Sequence, residues 1–396
     1  MPLASETSVR NRLWQRLLLR SAAVGGGILG ALGLLEGLCH CWLWLTPPER
    51  TPGRWEFRAT RPTPYRDAAY FGPDFLDESM RCVRIRPAAG GAFCLLNDFE
   101  GTRIRIRGGR RHTTDQPTSY SDTIYLVGGS TVFDQEVPDE WTIASCLQRL
   151  VNGAGLSYRV ENLGVPAMSA AQQTLRLART ELRHGDIVLF YDGVNDVYYP
   201  VYHGQTGGWR PDQPDASGAR RLKGVDRLLY PWCVRNQGWS ACAKLMLRRL
   251  ERQASAARVD AEALAQALRR AEAGYRDALA EARTRAEAKG ARFVHFLQPH
   301  LFAHEQPTAY EKRLRKKEER EAPGLERAFA TAYPRFRTAL EALGRDGLVS
   351  VDLSDVLADR PDGTEFYLDF CHVNHAANAR VAEALFARAL RAKASD

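Results

Sequence analysis

The sequence predicts an α/β protein built on a mostly parallel five-stranded sheet, preceded by a transmembrane helix and a small β-containing region. Three observations carry this prediction. From Thr123 onward, the apolar runs IYLV (124–127), YRVEN (158–162), DIVLFY (186–191), RFVHFL (292–297) and LVSVD (348–352) alternate with helical stretches. That rhythm is the signature of strands joined by helical crossovers. Near the N-terminus, SAAVGGGILGALGLLEGLCHCWLWL at 21–45 is long enough to cross a bilayer with some tilt. The whole chain of 396 residues, 44% hydrophobic and 26% charged, can bury one substantial core and carry a long insertion.

Residues 1–20 form a basic tail. Arg10, Arg12, Arg16 and Arg20 precede the apolar run and predict a cytoplasmic N-terminus, so part of the formal charge of +8 has a topological origin. Trp42 and Trp44 suit an interfacial anchor at the far end. Glu36 and His40 are the polar exceptions, and a carboxylate in a span is expensive unless snorkelling, protonation or a partner helix relieves it. With no sharp small-x-small cleavage site, residues 21–45 read as an uncleaved signal anchor in preference to a removed signal peptide or a buried or surface-lying helix. The expected location is a bacterial-type cytoplasmic membrane, crossed once, with the body periplasmic or extracellular. Eight cysteines lack framework spacing. One or two disulfides are compatible with that setting, with pairing undecidable.

Residues 46–122 read as a linker, to about residue 60, and a small β-rich region. In Thr102–Arg107, Ile104 and Ile106 alternate with Arg103, Arg105 and Arg107, as in a half-buried strand. With Arg110 and Arg111 these arginines are either a solvated strand face or a patch for a polyanion or lipid headgroups. Without interleaved aromatics or zinc-finger spacing they do not predict nucleic-acid binding. Residues 123–396 form the α/β domain, with an insertion at about 198–289. Its first part, 198–235, reads as irregular; Tyr198, Tyr199, Tyr202 and Trp209 there are candidates for a substrate wall. Its second part, 240–289, reads as a long, interrupted helical region. A later helix carries Leu325, Phe329, Tyr333, Phe336 and Leu340 on one core-facing side, with Pro334 as a kink.

Ligands in parallel sheets sit beyond the carboxyl ends of the strands, where Ser130, Gly164 and Gly193 fall. Four separated blocks lie in order: Gly128-Gly129-Ser130-Thr131, Asn162-Leu163-Gly164, Gly193-Val194-Asn195-Asp196 and Asp369-Phe370-Cys371-His372. On these blocks residues 123–392 resemble the SGNH (GDSL-like) hydrolase superfamily, in its membrane-anchored, cell-envelope branch. The resemblance implies a three-layer, flavodoxin-like fold and ester chemistry. Two departures stand out: Gly-Gly-Ser replaces the commoner Gly-Asp-Ser, and Val-Asn-His-Ala-Ala-Asn follows His372 in place of a Pro-Glu-Gly-Asn-like turn.

The residue types suit that chemistry. A serine hydroxyl is a poor nucleophile until a base takes its proton, and histidine is the base whose pKa lies nearest neutrality. Ser130 is the expected nucleophile, His372 the base and then acid, and Asp369 the acceptor that fixes the imidazole tautomer. The N–H groups of Ser130 and Gly164 and the amide of Asn195 are the expected donors to an oxyanion. Asp196 is expected to brace the Asn195 loop, and His375 to be structural. His300/His304 and His372/His375 lack the third ligand a catalytic zinc needs, and no Walker or dinucleotide-binding loop is present. No cofactor or metal is expected. The leading expectation is a serine esterase removing short acyl groups, acetyl first, from envelope or secreted carbohydrate. A polysaccharide O-acyltransferase using the same triad, with envelope assembly partners, and a noncatalytic glycan-binding or assembly protein are the alternatives.

Overall fold

A computed structural model describes residues 3–45, 58–88, 91, 93–205, 224–256, 261–360 and 363–390. Trp209 and most of the predicted linker lie outside these residues. The chain opens with helix α1 (Leu3–Leu45) and helix α2 (Pro73–Cys82), followed by short strands β1 (Ile85–Pro87), β2 (Cys94–Leu96), β3 (Phe99–Glu100), β4 (Arg105–Arg107) and β5 (Arg110–Arg111). Then come β6 (Asp122–Gly128), a single turn α3 (Ser130–Phe133), α4 (Ile143–Gly153), β7 (Tyr158–Asn162), α5 (Ala170–Leu177), β8 (Ile187–Asp192) and α6 (Val194–Tyr198). Helices α7 (Gly224–Asn236), α8 (Ala241–Ala256) and α9 (Ala261–Glu287) precede β9 (Arg292–Leu297). Helices α10 (Ala309–Glu321) and α11 (Leu325–Arg345), strand β10 (Ser350–Asp352) and helix α12 (His375–Ala389) complete the described elements.

Two compact units divide the chain. One is Met1–Thr51 with Gly218–Ala254, the other Pro52–Ser217 with Ser255–Asp396. The first holds α1, α7 and most of α8. Within α1, Val24–Trp42 is the one stretch among the described residues long and apolar enough to cross a membrane, and none of it is buried. The Glu36 carboxylate in that stretch accepts hydrogen bonds from Ser240 Oγ (3.0 Å), from Cys242 N (3.3 Å) and from Ala241 N at the start of α8. Residues 224–236, irregular by composition, are helical despite Pro231. The helix contributes Tyr230 and Cys233 to a small apolar cluster with Leu247 and Leu250 of α8.

The second unit is an α/β fold around one large sheet in the order β10-β9-β8-β6-β7-β5-β4-β3. The five predicted strands are present, and neighbours among β10, β9, β8, β6 and β7 run parallel. Numbered among themselves they follow the doubly wound order 2-1-3-4-5, which places the switch point between β6 and β8. The sheet is nevertheless eight-stranded and mixed rather than five-stranded. Strands β5, β4 and β3 extend it antiparallel from the β7 edge, joined by the pair Arg111↔Asn162. All six residues of β8 are buried, because helices cover both faces, the usual situation of a parallel sheet. On one face Val188, Phe190 and Phe293 meet Leu279 of α9 and Phe336 of α11; on the other, Leu126, Leu189 and Val294 meet Leu147 of α4 and Leu385 of α12.

Ile104 and Ile106 are buried as their alternation predicts. They join Tyr65, Phe75 and Phe93 in a third cluster that also packs Phe133 of α3 and Leu368. The neighbouring arginines are largely paired: Arg105 and the buried Arg111 with Asp139 (3.3 and 2.6 Å), Arg107 with Glu100 (3.0 Å) and Arg110 with Glu161 (3.2 Å). All eight cysteines are free thiols, so no disulfide supports the fold.

Candidate functional site

At the carboxyl end of β6 the chain turns at Gly129 and Ser130 begins α3. Val132, Phe133 and Asp134 supply the hydrogen-bonded N–H groups of this turn. The N–H of Ser130, at the open N-terminal end, has no helical acceptor. His372 Nε2 lies 2.7 Å from Ser130 Oγ, and His372 Nδ1 lies 2.8 Å from both carboxylate oxygens of Asp369. The three-residue spacing works because Asp369 also orders its own turn: Oδ1 accepts from the N–H groups of Cys371 (3.0 Å) and His372 (2.8 Å). Asp369 and His372 are buried while Ser130 is half-buried. Asp369, Cys371 and His372 place ligand-type atoms within 4.8 Å of one another, but His372 Nδ1 is directed at its carboxylate and Nε2 at the serine.

Behind Asp369 stands Arg58, fully buried. Its Nη2 donates to Asp369 Oδ2 (3.0 Å), and its Nη1 to Glu136 Oε1. A charge-assisted network of this kind fixes a carboxylate far more firmly than a neutral hydrogen bond. Arg58 and Glu136 carry no motif and are not among the predicted site residues.

Asn195, in the first turn of α6 after β8, donates from Nδ2 to Met168 O (2.8 Å), which leaves the second amide hydrogen uncommitted by that bond. The adjacent Asp196 carboxylate accepts from Ala170 N (3.0 and 3.2 Å), bracing the loop between β7 and α5 against the end of β8. Burial, and then the Asp192 charge, push the Asp196 carboxyl well above the usual carboxylate range. Gly164 sits elsewhere than its motif suggests. Its N–H is donated to Asn162 Oδ1 (2.9 Å), and a Cβ there would collide with the backbone of Val132 and Phe133. It is a close-packing residue behind α3. Three residues on, Ala167 lines the pocket with φ +70° and an N–H that no described residue accepts.

The pocket measures about 310 Å³ and opens over Ser130, Ala167, Asn195, Asp369 and His372. Tyr198, stacked on Phe370 at 5.4 Å, and Tyr199 line it, whereas Tyr202 turns into the protein, its hydroxyl donating to Pro323 O (3.1 Å). Helix α10 contributes Lys317, Glu318 and Glu321, the lysine bridging the two carboxylates at 3.1 and 3.0 Å. Burial and the nearby Asp369 push the Glu318 carboxyl up to about 7. Helix α10 carries no sequence motif that marks this wall. A larger cavity of 460 Å³ around His300 and Arg337 shares no lining residue with the pocket. His375 is structural: it starts α12, capped by Asn374, packs against Trp141 and pairs with Tyr70 Oη (3.3 Å).

No protein-family model and no curated protein matches the sequence. The chain has a distant likeness to solved structures of lipolytic proteins and esterases. One is a lipolytic protein of the G-D-S-L family from Veillonella parvula, with 11% identity, TM-score 0.39, 68% of this chain and 100% of that chain. Another is Axe2, an acetylxylan esterase from Geobacillus stearothermophilus, with 13% identity, TM-score 0.38, 68% of this chain and 94% of that chain. A third is the esterase EstA from Pseudoalteromonas, with 10% identity, TM-score 0.33, 70% of this chain and 100% of that chain. Likeness of this degree bears on neither reaction nor substrate.

Proposed function

We propose that the chain is a serine esterase that removes short acyl groups, acetyl first, from envelope or extracellular carbohydrate, working from a single membrane anchor. The observation that carries this reading is the continuous relay from Ser130 Oγ through His372 to Asp369, at 2.7 and 2.8 Å. Ser130 attacks the ester carbonyl while His372 Nε2 takes its proton; Asp369 holds the Nδ1–H tautomer and stabilises the imidazolium. His372 then protonates the departing sugar alcohol. Water, deprotonated by the same imidazole, adds to the acyl-enzyme; His372 returns that proton to Ser130 Oγ as the bond to the acyl group breaks and the carboxylic acid leaves.

The charge developing on the carbonyl oxygen is met by the N–H of Ser130, the N–H of Ala167 in place of that of Gly164, and the Asn195 amide. Each such donor contributes about 3 kcal/mol to the barrier difference. A pocket of about 310 Å³ with Tyr198, Tyr199 and Phe370 on its rim suits a small acyl group presented on a sugar ring. The deciding experiment follows free acetate by proton NMR, with O-acetylated polysaccharide and either the full chain or its Ser130→Ala variant. Acetate release by the first, lowered on the order of 10⁶-fold in the second, is expected. Silence of both across several acetylated glycans rejects deacetylation and directs the search to a sugar acceptor of the acyl group.

A further inference from the structure

The unit that holds α1 contains a second element with exposed apolar side chains, the α7–α8 hairpin. Glu36 lies six residues before Trp42 in the Val24–Trp42 stretch, about 9 Å inward at 1.5 Å per residue. Whatever binds its carboxylate shares that depth, and the binding group is the turn between α7 and α8: Ser240 Oγ, Ala241 N and Cys242 N. The positive end of α8 thereby compensates a carboxylate that lipid alone would leave unsolvated. The same hairpin exposes large apolar side chains among the described residues: Val225, Leu228 (78% exposed), Trp232 and Trp239 (73% exposed). Residues 224–250 also carry five basic side chains, Arg227, Arg235, Lys244, Arg248 and Arg249, against one acid, Asp226. Aromatic and aliphatic residues beside an excess of Lys and Arg are the composition of a helix lying in a lipid interface.

We propose that the α7–α8 hairpin is seated in the bilayer interface on the side away from the N-terminal arginines. Trp239 and Leu228 lie among the lipids, and the basic residues face anionic headgroups. The inference rests on reading Val24–Trp42 as a membrane span. The test uses the full chain in vesicles of phosphatidylcholine and phosphatidylglycerol, with an environment-sensitive fluorescent residue at position 239 or, in a separate sample, at position 32, near the middle of the Val24–Trp42 stretch. The lipids carry bromine either near the headgroup or deep in the acyl chain. Loss of emission at 239 with shallow bromine, and at 32 with deep bromine, is the expected result. Quenching at 32 without quenching at 239 overturns the hairpin proposal and leaves the anchor intact. Absence of quenching at 32 overturns the span and the proposal together.

Discussion

Ala167 is the residue on which the proposed chemistry turns most finely. An L-residue with a Cβ pays roughly 1–2 kcal/mol to stand in the left-handed region, and Ala167 stands there at φ +70° beside Ser130 and Asn195. Ala167→Gly should therefore raise stability by about 1 kcal/mol in urea denaturation and retain kcat for ester hydrolysis. Gly164→Ala should lower both, because the new methyl meets the backbone of α3. An equal response of the two variants would argue against the different roles given to these positions. Ser130, Asp369, His372 and Asn195 are legible in the sequence because each stands at a fixed offset from its neighbours in a turn. Ala167 is not, since alanine announces no left-handed conformation and the nearby Gly164 is the residue type that does. Arg58 is hidden by distance along the chain: its partners Glu136 and Asp369 are 78 and 311 residues away.

At the scale of elements, Arg58 makes the segment entering the body part of the site. Removing one partner of a buried ion pair costs about 3–5 kcal/mol, and here the stranded groups are Glu136 and Asp369. Arg58→Met should lower stability by that order and reduce kcat. Arg58→Met with Glu136→Gln should recover stability without fully recovering kcat, since Asp369 still lacks its guanidinium. Recovery of both by the double variant would assign Arg58 to folding alone. The parallel strands are legible because a short apolar run bounded by helical stretches can bury both of its faces as a strand between two layers of helices. Strand β4 is legible from the alternation of Ile104 and Ile106 with arginines, whereas β3 and β5 are two residues long, too short for any period to register. Their arginines suggest a surface, whereas Arg111 is buried against Asp139. Helix α7 is hidden because Pro231 and a Tyr/Trp-rich composition resemble a loop, and only packing of Tyr230 and Cys233 on α8 reveals it.

For the molecule as a whole, pH dependence of stability follows from His300. It is enclosed by Phe329 and Tyr333 of α11, and burial followed by the Arg337 charge pushes its pKa from 6.5 down to about 3. The unfolded chain binds this proton at a higher pH than the folded one. The contribution is therefore intact above about pH 6.5 and declines as the pH falls toward 3, by up to about 4 kcal/mol. His300→Phe should flatten the decline of Tm over that window; an unchanged slope would place the acid sensitivity elsewhere. The division into two units, in which a segment of the insertion belongs with the N-terminal helix, is not legible, because nothing in sequence order relates Glu36 to Ser240. The reading as a hydrolase depends on Ser130 being an activated nucleophile, and intact-mass spectrometry after incubation with a fluorophosphonate tests that without knowledge of the substrate. One phosphonyl adduct on Ser130, lost in both Ser130→Ala and His372→Ala, is the predicted result. An unmodified Ser130 in the folded protein, or an adduct that survives the loss of His372, would contradict it.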